Sequence, residues 1–156
     1  MGESWPIRPA TLADAAAIAA AERICFGDPW SATGIAELFE NKAVIGLMAP
    51  AAGPEMSLAG YAFARVIALE AEILNIAVLP LFRRRRLGGR LLDAALAAAE
   101  QRGAIEVFLE VRESNDAARA MYLARGFRPV GVRTDYYRKP RENALILRLG
   151  LRPAFN

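Results

Sequence analysis

Four consecutive arginines, Arg83, Arg84, Arg85 and Arg86, run directly into Leu87-Gly88-Gly89-Arg90. From Leu87 onward the spacing predicts a helix to Arg102, with Leu87, Leu91, Ala95 and Ala98 on one stripe and Leu92 and Leu96 widening it. Cations at a helix N-terminus oppose its macrodipole, at ~0.3–1 kcal/mol each when exposed. No Ser, Thr, Asp or Asn stands where a cap belongs, so the first N–H groups lack an obvious partner. An anion answers both faults, because a pyrophosphate would accept those N–H groups and neutralise the arginines. Gly88 and Gly89 would then let the backbone approach the phosphates. The alternatives are a solvated basic turn, in a chain whose only lysines are Lys42 and Lys139, and a nucleic-acid patch, which lacks interleaved aromatics here.

Glu110 is the second residue with chemical promise. It sits in Val107-Phe108-Leu109-Glu110-Val111, a strand pattern, among apolar neighbours. Partial burial would raise its pKa towards the working pH, where a general base is most effective. The alternative is an exposed carboxylate paired with Arg112, on the same face by the period of two. Asn115, Arg119 and Tyr122 fall at i, i+4 and i+7, on one helical face. Asn115 can equally be a plain N-cap, and Tyr122 a core aromatic.

Composition narrows the chemistry further. The chain of 156 residues has no histidine and one cysteine, Cys25, so Ser–His and Cys–His hydrolysis, an intrachain disulfide and a zinc site are all disfavoured. No metal is expected. The 54% hydrophobic content is swollen by alanine, and no run of about 18 apolar residues marks a transmembrane helix. The first twenty residues do not resemble a secretory signal, so a cytoplasmic protein without membrane contact is expected. The net charge of +3 is concentrated at the arginine run rather than spread out.

The elements that must position these residues follow from spacing and punctuation. Trp5–Arg8 is expected as a strand, Leu12–Cys25 as a helix capped by Thr11 with Asp14, and Ala32–Asn41 as a helix capped by Ser31. Strands are expected at Ala43–Met48, Ser57–Ile67 and Ala71–Val78, with a turn at Gly53-Pro54. After the helix to Arg102, closed by Gly103, come a strand Glu106–Arg112 and a helix Asn115–Arg125 closed by Gly126. Phe127–Arg138 and Ala144–Leu149 are the last two strands. The order β-α-α-β-β-β-α-β-α-β-β implies an α/β (α+β) fold, a mixed sheet of about seven strands flanked by about four helices, in a single domain spanning 1–156.

Asn75-Ile76-Ala77-Val78, then Pro80, then Arg83 to Gly88, resembles the coenzyme-binding motif Gln/Arg-x-x-Gly-x-Gly/Ala of the GCN5-related N-acetyltransferase (GNAT) superfamily. Further matches point to the ribosomal-protein-alanine N-acetyltransferases: Pro29-Trp30-Ser31, Leu109-Glu110-Val111-Arg112 with Ser114-Asn115, Met121-Tyr122 with Gly126-Phe127, and Tyr136-Tyr137 with Glu142-Asn143-Ala144. The motif's first glycine is Arg86 here. A negative φ at Arg86, with its side chain adding a phosphate contact, is the expectation; a positive φ would strain it.

The resemblance implies a mostly antiparallel sheet and direct acetyl transfer from acetyl-CoA to the N-terminal alanine of a ribosomal protein, by a monomer or weak dimer. It assigns coenzyme binding to Ile76, Ala77, Val78, Arg83 to Arg86, Leu87, Gly88, Gly89, Arg90, Asn115 and Tyr122. Glu110 becomes the base and Tyr122 the acid, with Trp30, Tyr136 and Tyr137 as walls of the acceptor groove. An α-amine, with a pKa near ~7.7–8.0 against ~10.4 for lysine, needs only a modest base. A small amine or an internal lysine is the alternative acceptor, and a non-catalytic acyl-CoA-binding module the alternative class.

Overall fold

The computed structural model describes residues 5–52 and 58–151. Seven strands and four α-helices alternate as β1 (Arg8–Pro9), α1 (Ala15–Cys25), α2 (Ala32–Glu40), β2 (Val44–Ala49), β3 (Gly60–Ile67), β4 (Glu70–Val78), α3 (Leu87–Gln101), β5 (Glu106–Arg112), α4 (Asp116–Ala124), β6 (Arg128–Arg138) and β7 (Arg141–Gly150). The expected mixed sheet with flanking helices is the one observed. The Gly53-Pro54 turn lies outside the described residues.

Local chemistry sets the boundaries. The Asp14 carboxylate accepts from the Thr11 N–H at 2.8 Å, so the chain enters α1 through a 3-10 turn at Leu12–Asp14. Ser31 Oγ accepts from the Gly34 N–H at 3.0 Å and starts α2. Gly103 and Gly126 close α3 and α4 with φ of +91° and +96°, which a Cβ would resist. Two expectations were too short or misplaced. The first strand is only Arg8–Pro9, because Trp5 leaves the sheet and packs edge-on against Phe82 at 5.1 Å. The last strand extends back to Arg141, because β6 and β7 form one long hairpin.

The sheet runs β1-β2-β3-β4-β5-β7-β6, and every neighbour is antiparallel except β4 and β5. That pair needs a crossover, which α3 supplies. Helices cover both faces of β3. Tyr61 and Phe63 pack with Ile18, Ala21 and Ile35 of α1 and α2, while Ala64 packs with Leu92 and Ala95 of α3. Alanines along α3 allow close approach to the sheet, which is why so alanine-rich a sequence still builds a dense core.

Two irregularities open the sheet. Ala64 pairs with Ile73 but Phe63 pairs with Asn75, so Leu74 is an extra residue, a bulge in β4. The parallel ladder to β5 stops at the same place, with Ile73 opposite Leu109. Beyond it β4 continues on β3 to Val78, and β5 continues on β7 to Arg112. A wedge therefore parts β4 from β5 in the middle of the sheet.

Phe63 is fully buried and meets Trp30, Phe39 and Tyr61 at ring-centroid distances of 5.9, 5.7 and 5.9 Å. Phe63→Ala should lower stability by about 3–5 kcal/mol, read by urea denaturation against the parent.

Candidate active site

The wedge exposes backbone. The Leu79 N–H bonds to the Ala59 carbonyl at 2.9 Å, towards β3. Antiparallel alternation then turns Ala77 the same way and aims the N–H groups of Ile76 and Val78 into the wedge, where β5 no longer pairs with them. The Val78 carbonyl also faces away from β3 and accepts from Arg83 Nε at 2.9 Å. Arg83 is thus folded back on the strand it follows, which fixes the start of the basic loop.

After a 3-10 turn at Pro80–Phe82, the loop enters α3 with Arg84 and Arg86 both at φ +63°. The expected negative φ at Arg86 is not what the backbone adopts: Arg86 is the N-cap of α3 in the left-handed region. Two left-handed residues turn the chain into α3, whose Gly88 comes to lie beside Val78 of the wedge wall. A residue with a Cβ in that region carries strain of roughly 1–2 kcal/mol. Arg86 makes no side-chain cap, and the first intrahelical bond is from the Arg90 N–H to the Arg86 carbonyl at 3.2 Å. The N–H groups of Leu87, Gly88 and Gly89 precede that bond and point outward from the helix end.

Gly88 and Gly89 serve different needs. A Cβ on Gly88 would sit 3.4 Å from Met121 Sδ and 3.7 Å from Val78, in ordinary contact. One on Gly89 would fall 2.2 Å from Arg125, whose guanidinium passes over that position to reach Asp93 at 2.7 Å. Any side chain at position 89 would make that guanidinium turn aside, at the expense of its ion pair with Asp93.

Glu110 and Tyr122 lie on opposite faces of the sheet. Val107, Leu109 and Val111 of β5 join the core under α3 and α4, so Glu110 points the other way. Its carboxylate pairs with Arg133 of β6 at 2.5 Å and is hydrogen-bonded to the Tyr136 hydroxyl. The expected alternative partner, Arg112, is drawn elsewhere. It donates to the Pro140 carbonyl at 2.9 Å, meets Glu142 at 3.4 Å and lies 4.2 Å over the Tyr137 ring. Glu142 in turn accepts from the Ser114 N–H at 2.6 Å. These contacts clamp the β6–β7 hairpin to the end of β5. An open cavity of about 360 Å³ borders Glu110 on this face, lined also by Arg65, Glu72, Phe108 and Arg133.

Tyr122 is buried against Phe127, rings 5.6 Å apart. Burial, with Tyr137 nearby, pushes its hydroxyl up to about 12. No buried polar side-chain atom among the described residues lacks a hydrogen bond, and Tyr122 makes none among them, so its hydroxyl keeps some solvent access. Tyr137 is likewise pushed up to about 12, by burial first and then by Glu110. Asn115 caps α4, its Oδ1 accepting from the Ala118 N–H at 3.2 Å.

The hairpin and the α1–α2 loop meet across the mouth of the wedge: a Cβ on Gly27 would lie 3.3 Å from the Lys139 carbonyl. Trp30, in the same loop, is half-buried against Phe63. Cys25 sits beside the Val78 carbonyl, with its Sγ at 3.8 Å, and burial raises its thiol pKa, the opposite of an activated nucleophile.

One residue escaped the sequence reading. Glu22 is 1% exposed and accepts from the Tyr61 hydroxyl, from Asn75 Nδ2 at 2.6 Å and from the Trp30 N–H at 3.0 Å. Burial raises its carboxyl pKa, and these donors only partly offset that. The signal was available, since Glu22 stands four residues after Ile18, on the buried stripe of α1.

Comparison with known proteins places this geometry. Residues 15–127 match the model of the acetyltransferase (GNAT) family. The chain belongs to that family. Among curated members, a [ribosomal protein bS18]-alanine N-acetyltransferase of Salmonella typhimurium is 42% identical over 94 residues, 59% of this chain and 64% of the relative. The match therefore spans just under two thirds of that relative's length. A putative enzyme of the same description from Bacillus subtilis is 35% identical over 127 residues, 81% of this chain and 82% of its own. The crystal structure of the ribosomal-protein-S18-alanine N-acetyltransferase from Escherichia coli superposes with a TM-score of 0.88 at 31% identity, covering 98% of this chain and 97% of the other. The GNAT fold thus extends across the chain, well past the matched motif.

The strain at Arg86 yields a direct test. Arg86→Gly relieves left-handed strain of roughly 1–2 kcal/mol and gives back about 0.4–1 kcal/mol through a more flexible unfolded chain. Without any ligand the variant should gain about 0.5–1 kcal/mol of stability in chemical denaturation. A loss would mean that the Arg86 side chain stabilises the loop.

Proposed function

We propose that the protein is an N-acetyltransferase that moves the acetyl group of acetyl-CoA to a protein N-terminal amine, that of the alanine beginning ribosomal protein bS18. The observation that carries this reading is the wedge between β4 and β5, with unpaired N–H groups on one wall and a buried tyrosine and a carboxylate on opposite faces. Such an opening accepts a thioester threaded from the α3–α4 face and an amine arriving from the other. The match to relatives of that description, one of them over four-fifths of both chains, supports the acceptor.

The chemistry follows from the positions. Arg84 to Arg86 and the free N–H groups at the start of α3 hold the pyrophosphate. Asn115 contacts the pantetheine arm, and the N–H groups of Ile76 and Val78 bind the arm and polarise the acetyl carbonyl. Glu110, oriented by Arg133 and Tyr136, takes the proton of the attacking amine. The amine nitrogen bonds to the carbonyl carbon, the carbon–sulfur bond breaks, and Tyr122 gives its proton to the departing thiolate. Because burial holds Tyr122 up at about 12, it keeps that proton through the range in which an α-amine becomes neutral. Trp30, Tyr136 and Tyr137 wall the acceptor groove.

Glu110→Gln and Tyr122→Phe should each lower kcat by about 10²–10⁴-fold with little change in acetyl-CoA affinity by calorimetry. Unchanged turnover in both would overturn the roles given to Glu110 and Tyr122. Arg84→Ala should weaken acetyl-CoA binding by about tenfold, the loss of one charge-assisted contact. Peptides beginning with the bS18 sequence should be acetylated only when their N-terminus is free. Equal rates on a blocked peptide carrying an internal lysine would transfer the activity to side-chain amines.

A further inference from the structure

Glu22 is the one charged residue in the core of the described chain, and no cation pairs with it. Taking a carboxylate out of water costs several kcal/mol, so an apolar or neutral side chain would serve folding alone more cheaply. What a carboxylate offers is acceptor capacity on both oxygens and no donor of its own. Oε1 accepts from the Tyr61 hydroxyl and from Asn75 Nδ2, and Oε2 from the Trp30 N–H. A glutamine could keep all three contacts, its oxygen on the Trp30 N–H and its amide donating to the Tyr61 hydroxyl and a flipped Asn75, whereas an apolar side chain keeps none.

The three donors come from three different parts of the molecule. Tyr61 is in β3, inside the core. Asn75 is the first β4 residue after the bulge at Leu74, where the wedge begins. The Trp30 N–H belongs to the α1–α2 loop, just before Ser31 caps α2. A backbone N–H cannot rotate to accept, so this link alone has no substitute when Glu22 loses both oxygens. We infer that Glu22 is a positioning residue: it ties the Trp30 loop to the β4 bulge and so sets the width of the acceptor groove beside the wedge. The inference rests on the reading that Trp30 lines that groove.

The test compares Glu22→Leu, which removes both acceptor oxygens, with Tyr61→Phe, which removes a donor to Glu22 without touching the loop. Each is made in the parent and in a Trp5→Phe background, where Trp30 is the sole indole. Glu22→Leu should raise KM for the free bS18 N-terminal peptide about tenfold, as the hydrogen bond from the Trp30 N–H to a charged group is lost, with kcat and the KM for acetyl-CoA changed less than about twofold. It should also shift and broaden Trp30 emission. Tyr61→Phe should lower Tm but leave the peptide KM and Trp30 emission at parental values. Should Glu22→Leu fail to fold, Glu22→Asp keeps the charge but draws the oxygens back by one methylene. It should then show the same selective rise in peptide KM. A variant that loses thermal stability while peptide KM and Trp30 emission stay parental overturns the inference and leaves Glu22 a packing residue. If the parent acetylates no amine at all, the proposed function fails separately, and Trp30 emission alone decides whether Glu22 holds the loop.

Discussion

The end of the parallel ladder at Ile73 and Leu109 governs the rest of the molecule. A sheet with every backbone group paired has nothing to offer a ligand. Here a single extra residue, Leu74, swings β4 away from β5 while each strand keeps its other neighbour. Stability is preserved because β3 and β7 hold the outer edges of the split, and α3 bridges it on one face. The unpaired N–H groups of Ile76 and Val78 are the product. They form a polar seam in the middle of the sheet.

The surrounding elements make sense as supports for that opening. Arg83 closes back on the Val78 carbonyl, so the basic loop starts from the wedge wall itself. Two left-handed arginines then turn the chain into α3 beside the same wall, at a conformational cost that glycines would have avoided. On the opposite face, Arg112 collects the hairpin carbonyls and stacks on Tyr137. It thereby frees Glu110 to pair with Arg133 and Tyr136. Competition between two arginines for one carboxylate is resolved by the hairpin, not by strand spacing.

Much of this was legible in the residues. Caps at Thr11, Ser31 and Asn115 and glycines at 103 and 126 fixed the helix ends, because these signals act within a few residues. The anion-seeking character of the Arg83–Arg86 run followed from the uncapped helix start. The bulge was not legible, since it is a relation between two strands rather than a property of one. The partner of Glu110 was not legible for the same reason: period-two spacing offered Arg112 as an alternative partner, but the hairpin that claims Arg112 folds in from about thirty residues away. Arg86 was expected at negative φ on intrinsic preference, and tertiary direction overrode it. Glu22 was overlooked because a charged residue in an alanine-rich helix suggests solvent, although its place on the Ile18 stripe argued otherwise.

Gly89 gives the fold a property that none of its strands could supply. With only hydrogen at that position, the Arg125 guanidinium crosses α3 one turn from its start and locks onto Asp93. Arg125 follows Tyr122 by three residues and also donates to the Met121 carbonyl at 3.3 Å. The two helices are thereby pinned like the blades of a pair of scissors at their rivet. Arg125 thus ties the first half of α3 to the C-terminal end of α4, three residues from Tyr122.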